Sequence, residues 1–237
     1  MPTVAEIAAR IAAVRARVAA AAEAAGRSPS DVRLLLATKT LPADVVRAAV
    51  LAGADLIGEN RVQELVAHVG AVADLRPEVH VIGHLQSNKV TAVVHPERPF
   101  VSCVESVDTL PLAQRLSRRC ADLGRDLDVM VQVNVSGEAT KSGVAPAAAA
   151  DLAAQVAALP RLHLTGLMTV GLNSPDAAAV RAGYAHLRQV RDAVATSLPD
   201  TRELSMGMSR DLELAVAEGA TIVRVGTAVF GARPTPA

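Results

Sequence analysis

The sequence predicts an α/β protein, a single (β/α)8 (TIM) barrel with one extra helix at its N-terminus, and three observations carry that expectation. Short apolar, β-branched runs alternate with helical patterns along almost the whole chain. Eight such runs fit within 237 residues, about 30 residues per unit, which is the size of one strand–helix repeat. The runs are also apolar on both faces, as strands are when helices cover a parallel sheet. A doubly wound open sheet is the alternative, but no G-x-G-x-x-G follows the first strand. No Pro/Gly/Ser-rich linker interrupts the chain, so residues 1–237 read as one domain.

The elements follow in order. In "TVAEIAARIAAVRARVAAAAEAAG", Val4, Ile7, Ile11, Val14 and Val18 recur at steps of three and four, the apolar face of an amphipathic helix. Gly26 and then Pro29 stop it. Its Ala and Arg content superficially resembles a transit peptide, yet the periodic face predicts a structural helix, residues 1–26, packed on the barrel of a cytoplasmic protein. Strands are then expected at 32–38, 55–58, 79–83, 100–104, 128–135, 163–168, 203–206 and 221–226. Helical patterns fill the intervals at 42–52, 60–73, 86–94, 108–123, 146–158, 175–196 and 209–217.

Composition excludes several functions. Lys plus Arg equals Asp plus Glu, and Phe100, Tyr184 and Phe230 are the only aromatic residues, so neither a basic field nor a stacking platform invites nucleic acid. Cys103 and Cys120 are too few for a disulfide framework and read as packing residues. The histidines are scattered singly, which argues against a metal site, and the apolar stretches are too short to span a membrane. The lysines are Lys39, Lys89 and Lys141, the remaining basic residues being arginine. Arginine holds charge equally well but cannot become a nucleophilic amine, so each lysine asks for a chemical reason. Lys89 and Lys141 read by default as solvated surface, with Lys141 near the barrel rim where it could attract anions.

Barrel enzymes and binders use the C-terminal ends of their strands. Those ends carry Lys39, Asn60, His84, Asn134, Met168, "SMGMS" (205–209) and "RVGT" (224–227). Ser209, heading a helical run, is expected to cap it, and Gly226 and Thr227 after the last strand suit close approach of a phosphate. Asp211 and Glu213 would repel that phosphate unless they point away. Arg224 shares a face with Gly226 inside an apolar strand, which is costly without a buried acceptor from a ligand or a salt bridge. Lys39, on the neighbouring first strand, would share this cavity, and a desolvated lysine beside a cation attacks carbonyls. Amine, guanidinium and phosphate cradle together suggest pyridoxal 5′-phosphate (PLP), with a phosphosugar Schiff-base aldolase as an open alternative.

"LLLATKT", "IGENRVQE", "HVIGHLQSNK", "VNVSGEATKSG", "GLMTVG" and "SMGMSRDLELAVAEGATIVRVGTAVFG" resemble the pyridoxal phosphate homeostasis protein family, also called the YggS or PROSC family. The resemblance runs in order from about residue 33 to 231. It implies a fold-type III PLP-binding barrel similar to the alanine racemase N-terminal domain, acting in vitamin B6 homeostasis rather than in turnover. It implies a covalent imine between PLP and Lys39, and Arg224 against the pyridine nitrogen. Ser209, Gly226 and Thr227 would hold the phosphate, with Ser205 and Met206 close by and Asn60 and His84 lining the ring. Arg61 stands where many members have tyrosine, with no loss at the cofactor positions.

An arginine partner leaves the pyridine nitrogen unprotonated, a weak electron sink. A two-base racemase also needs a second acid/base, yet Tyr184 falls within a helix, leaving His84 or Cys103 to improvise. The expectation is therefore a monomeric PLP carrier without catalytic residues, passing its cofactor transiently to PLP-dependent apo-enzymes. A small amino-acid racemase is the alternative.

Overall fold

The computed structural model describes residues 2–98, 100–138 and 140–231. Met1, Pro99, Ala139 and residues 232–237, part of the expected 1–237 domain, lie outside the described residues. The chain runs α1 (Val4–Ala24), β1 (Arg33–Ala37), α2 (Ala43–Leu51), β2 (Leu56–Glu59), α3 (Val62–Val72), β3 (Glu78–Val81), α4 (Val90–Val93) and β4 (Val101–Val107). It continues α5 (Leu110–Asp122), β5 (Leu127–Gln132), α6 (Ala149–Ala157), β6 (Leu162–Met168), α7 (Ala177–Ala195), β7 (Glu203–Met208), α8 (Leu212–Ala217), β8 (Ile222–Val225) and α9 (Thr227–Phe230). The eight strands are parallel and pair in sequence order, and β8 returns to β1, so the sheet closes into a barrel.

The N-terminal helix has a place that its sequence does not disclose. Thr3 and Glu6 form a capping box at its start, and Gly26, at φ 69, reverses the chain at its end. Its stripe of Ile7, Ile11, Val14, Val18 and Ala22 is buried against α2, α8 and α9. A regular barrel would place a helix after β8, but α9 is one turn long. The α1 helix occupies that position in the outer ring, covering the β8–β1 seam. Polar clasps fix it there: Arg10 donates to the Val229 carbonyl at 3.0 Å, and Arg27 to the carbonyls of Val216 (3.0 Å) and Ala220 (2.8 Å).

Two apolar layers result from strand alternation. Outward residues such as Leu34, Leu36, Ile57, Val104, Val129 and Val225 join the helices in one continuous core. Inward residues Leu35, Leu56, Cys103, Met130, Met168 and Ile222 form a second, smaller core inside the barrel.

Several element boundaries differ from the sequence expectation, among them the strand expected at 128–135, which ends at Gln132. The strand expected at 100–104 runs on to Val107, because Glu105 and Ser106 are buried within it rather than ending it. The helix expected at 86–94 shrinks to a single turn at Ser87–Lys89 and the four-residue α4. The helix expected from 209 begins at Leu212, with Asp211 as its N-cap residue. Among the described residues no helix is long and apolar enough to cross a membrane.

Candidate functional site

Lys39 follows β1 in the inward-facing phase of Leu35 and Ala37, at the mouth of the barrel. The turn that carries it is held on both sides. Thr40, immediately after it, has φ 63, an uncommon conformation for a β-branched residue and one that turns the chain out of the mouth. Thr38, immediately before it, is buried and donates its hydroxyl to Glu59 Oε1 at 2.6 Å. Glu59 Oε1 also receives His68 Nδ1 at 2.8 Å, while His68 Nε2 lies 2.8 Å from the Leu41 carbonyl. The Leu41 carbonyl can only accept, so Nε2 donates to it, and opposite an ionised Glu59 the other nitrogen donates as well, which makes the ring an imidazolium. Burial opposes that charge, but the bond to Glu59, its negative charge and the Leu41 carbonyl outweigh burial and hold His68 above its ordinary value.

On the other side of the seam, Leu35 of β1 pairs with Arg224 of β8. The Arg224 side chain points inward and is buried. Its two terminal nitrogens donate to Ser205 Oγ at 2.7 Å and to the Thr169 carbonyl at 2.6 Å. Ser205 passes its own hydrogen to Glu105 Oε2. Glu105 Oε1 is 2.6 Å from His80 Nδ1, and His80 Nε2 is 2.9 Å from Glu78 Oε1. Glu78 pairs in turn with Arg33 at the first residue of β1. The acceptors sought for Arg224 are thus internal, a hydroxyl and a carbonyl, with a carboxylate one link further on.

The titration behaviour follows from this file of residues. His80 faces a carboxylate at each nitrogen; burial works against its charge, but Glu105 and Glu78 raise its pKa to about 9. Glu78, bonded to His80 and also to Arg33, is lowered to about 2. Burial would raise Glu105, but His80, Arg224 and Ser205 hold it below the ordinary value, so it stays ionised.

The strand ends complete the mouth. A Cβ on Gly226 would sit 3.2 Å from the Ala37 carbonyl, so β8 leaves the barrel pressed against the end of β1, beside Lys39. Thr227 is exposed as the first residue of α9. Ser209 does not cap α8 as expected; it lies in the turn before it, and its Oγ accepts from the Ala228 N–H of α9 at 3.4 Å. The reason is Asp211, whose carboxylate ties that turn by accepting from Met208 N–H (2.6 Å) and from the Tyr184 hydroxyl (3.0 Å). Glu213 turns outward to Arg17 of α1, at 2.9 Å. Both carboxylates point away from the Ser209–Thr227 corner.

Asn60, just after β2, has a buried Oδ1 with no hydrogen-bond partner among the described residues. A Cβ on Gly83 would come within 2.1 Å of the Asn60 carbonyl, so the ends of β2 and β3 are in close contact there. His84 is exposed, its Nδ1 3.5 Å from Asp108 Oδ2. Met206 packs its side chain into the outer core, leaving only its backbone for the mouth. Asn134 builds the loop after β5 by donating to the carbonyls of Glu138 and Lys141. Lys141 is not a free surface lysine: its Nζ bonds Glu138 at 2.7 Å and the Gly171 carbonyl at 3.1 Å, joining two rim loops.

Sequence reasoning missed the residues behind the anchors, namely Thr38, Glu59, His68, His80, Glu105 and Thr169. The signal was present for two of them. His80 lies between Val79 and Val81 and Glu105 follows Val104 in a buried strand, and a charge in such a place requires a buried partner.

Comparison with known proteins agrees with this arrangement. Residues 10–234 match the family described as alanine racemase, N-terminal domain. The chain is 48% identical over 233 residues to the pyridoxal phosphate homeostasis protein of Pseudomonas aeruginosa, covering 98% of this chain and 97% of that one. It is 43% identical over 235 residues to the protein of the same name in Escherichia coli K12, covering 96% and 97%. Among solved structures it is similar to PipY of Synechococcus elongatus PCC7942 with PLP bound, at 36% identity and a TM-score of 0.82 over 95% of this chain and all of that one. The closed barrel, the buried Arg224 at its seam and matches along nearly the full length make one assignment: the chain belongs to the pyridoxal phosphate homeostasis protein family, built on the alanine racemase N-terminal fold.

Proposed function

We propose that this protein binds PLP and serves its homeostasis, holding the cofactor in the mouth of the barrel. The observation that carries this reading is the β1–β8 seam, where Arg224 pairs with Leu35 and Gly226 presses against Ala37, two residues before Lys39. The donor set suits the cofactor: an amine for its aldehyde, a guanidinium for its ring nitrogen, and hydroxyl and backbone donors for its phosphate. When bound, PLP supplies an aldehyde carbon for imine formation with Lys39 and a pyridine ring able to delocalise charge. Arg224, fixed by Ser205 and Thr169, presents a donor to the ring nitrogen. Ser209, Gly226 and Thr227 hold the phosphate, and Asn60 offers its unpartnered oxygen beside the ring, with His84 at the rim.

The role is holding and delivering rather than turnover, in a cytoplasmic monomer that meets apo-enzymes transiently. Two of the residues considered as a second base support this. Tyr184 lies buried in α7 on Asp211, and its hydroxyl pKa is driven up by burial and by that carboxylate. Cys103 is enclosed in the inner core, and burial raises its thiol well above the ordinary value.

Purified protein incubated with PLP should show a yellow band that borohydride bleaches and that Lys39→Ala abolishes. A protein that stays colourless and binds no PLP refutes the reading. Incubation with L-alanine in deuterated water separates a carrier from a racemase, since rapid α-proton exchange with inversion belongs only to the latter. Transfer to an apo-enzyme faster than spontaneous release would establish delivery.

A further inference from the structure

The inner core shows that this barrel can be filled with apolar side chains, as Leu35, Met130, Met168 and Ile222 do. Alongside them runs a file of ionised residues: Arg33, Glu78, His80, Glu105 and Arg224, linked in that order, with Ser205 as the last bridge. Arg33 and Glu78 reach the surface, but His80, Glu105 and Arg224 are buried, and buried ion pairs are weak contributors to stability compared with well-packed apolar residues of similar volume. The file therefore invites a functional reason.

Resting on the PLP reading above, we infer that Glu105 and His80 are positioning residues for the ring-nitrogen end of the cofactor, acting on it only through Ser205 and Arg224. Neither stands at a strand end; both are buried within their strands, Glu105 in β4 and His80 in β3. Their influence comes from the polarity of the hydrogen bonds. Arg224 is a donor only, so Ser205 Oγ must accept from it and send its single hydrogen to Glu105. Glu105 can accept that hydrogen because it is ionised, and it remains ionised because His80 donates to its other oxygen. Each link fixes the direction of the next.

The charges alternate in the same sense, cation and anion in turn from Arg33 to Arg224. Removing the negative charge at Glu105 leaves imidazolium and guanidinium facing each other across one serine in the buried interior. With its amide oxygen kept by His80, the glutamine of Glu105→Gln turns its NH2 toward Ser205, where it donates to the same Oγ that accepts from Arg224. Arg224 then loses one of the two contacts that set its plane, and the Thr169 carbonyl alone cannot hold it.

The experiment uses the full chain as wild type, Glu105→Gln and His80→Gln, each titrated with PLP. Affinity, the absorption maximum of the bound cofactor and the pH titration of that band are measured, with thermal melting recorded separately. The expected result is a folded Glu105→Gln protein that binds PLP about tenfold more weakly, with a shifted band and a shifted titration. Glu105→Gln added to Arg224→Gln should cost nothing further, because the effect passes through the arginine. A folded Glu105→Gln protein within about twofold of wild-type affinity, with the same band and titration, overturns the inference even if its melting temperature falls. Should Glu105→Gln not fold, His80→Gln decides by the same criteria, since glutamine can keep a donor against Glu105 while removing the charge and the donor to Glu78. A wild-type protein that forms no band sinks the PLP reading and this inference with it. A wild-type band with unchanged variants sinks the inference alone.

Discussion

Replacing His68 with leucine tests how the lysine turn is held. The imidazolium makes two hydrogen bonds at 2.8 Å, to Glu59 and to the Leu41 carbonyl, and both side chains of the ion pair are almost fully buried. The second Glu59 oxygen has no hydrogen-bond partner among the described residues, so His68 carries most of the carboxylate's compensation. His68→Leu leaves a buried charge with Thr38 alone, a loss of roughly 3–5 kcal/mol of folding stability. Adding Glu59→Met removes the stranded charge and leaves chiefly the Leu41 carbonyl unsatisfied, a cost of roughly 1–3 kcal/mol. The double variant should therefore be more stable than His68→Leu by about 2 kcal/mol, the difference between those two ranges. The pH dependence has a definite sign. The folded state raises His68 above 6.5, so its contribution is full below that pH and fades as pH rises through the folded value. Urea denaturation at several pH values measures both effects. A single variant within about 1 kcal/mol of wild type, or a double variant no better than the single, refutes the ion-pair account.

Three further outcomes are expected. Stability should fall between pH 6.5 and about 9 as His80 loses its second proton, and on the acid side between pH 4.5 and about 2 as Glu78 is protonated; a urea midpoint flat across both windows would contradict these assignments. Gly207→Ala should cost roughly 2–4 kcal/mol, because φ is +89 there and the new Cβ would stand 2.4 Å from that of Ala215; a melting curve reports it. Lys141→Met should leave global stability within about 1 kcal/mol but speed amide exchange in the loops at 134–143 and 170–172 that its ammonium joins, which hydrogen-exchange mass spectrometry resolves.

Much of the fold was legible because each strand–helix unit carries its own local pattern. The eight apolar runs fall on the eight strands, and Lys39, Arg224, Gly226 and Thr227 fall at or near the ends of the first and last of them. What was not legible depends on closure. That α1 stands in for the missing helix after β8 follows from the shortness of α9, which the "GTAVFG" segment does not signal locally. The expected strand at 100–104 stopped short of Glu105 because its neutralising partner, His80, lies on another strand. Ser209 was given to the wrong helix because a serine before an apolar run fits an N-cap; only the Asp211 contacts with Met208 and Tyr184 reveal the tighter turn.

The seam gives the barrel a mechanical asymmetry. Seven of its eight strand contacts join neighbours in sequence, whereas β8 meets β1 only after the chain has come full circle. The α1 helix straps that joint from outside, with Arg10 and Arg27 clasping the last units. A ligand held, as proposed, by Lys39 on one edge and Arg224 on the other would work as a rivet from inside, its binding energy helping to keep the ring shut. Loading and unloading such a ligand is then coupled to the breathing of a single joint, and the empty protein should open there first.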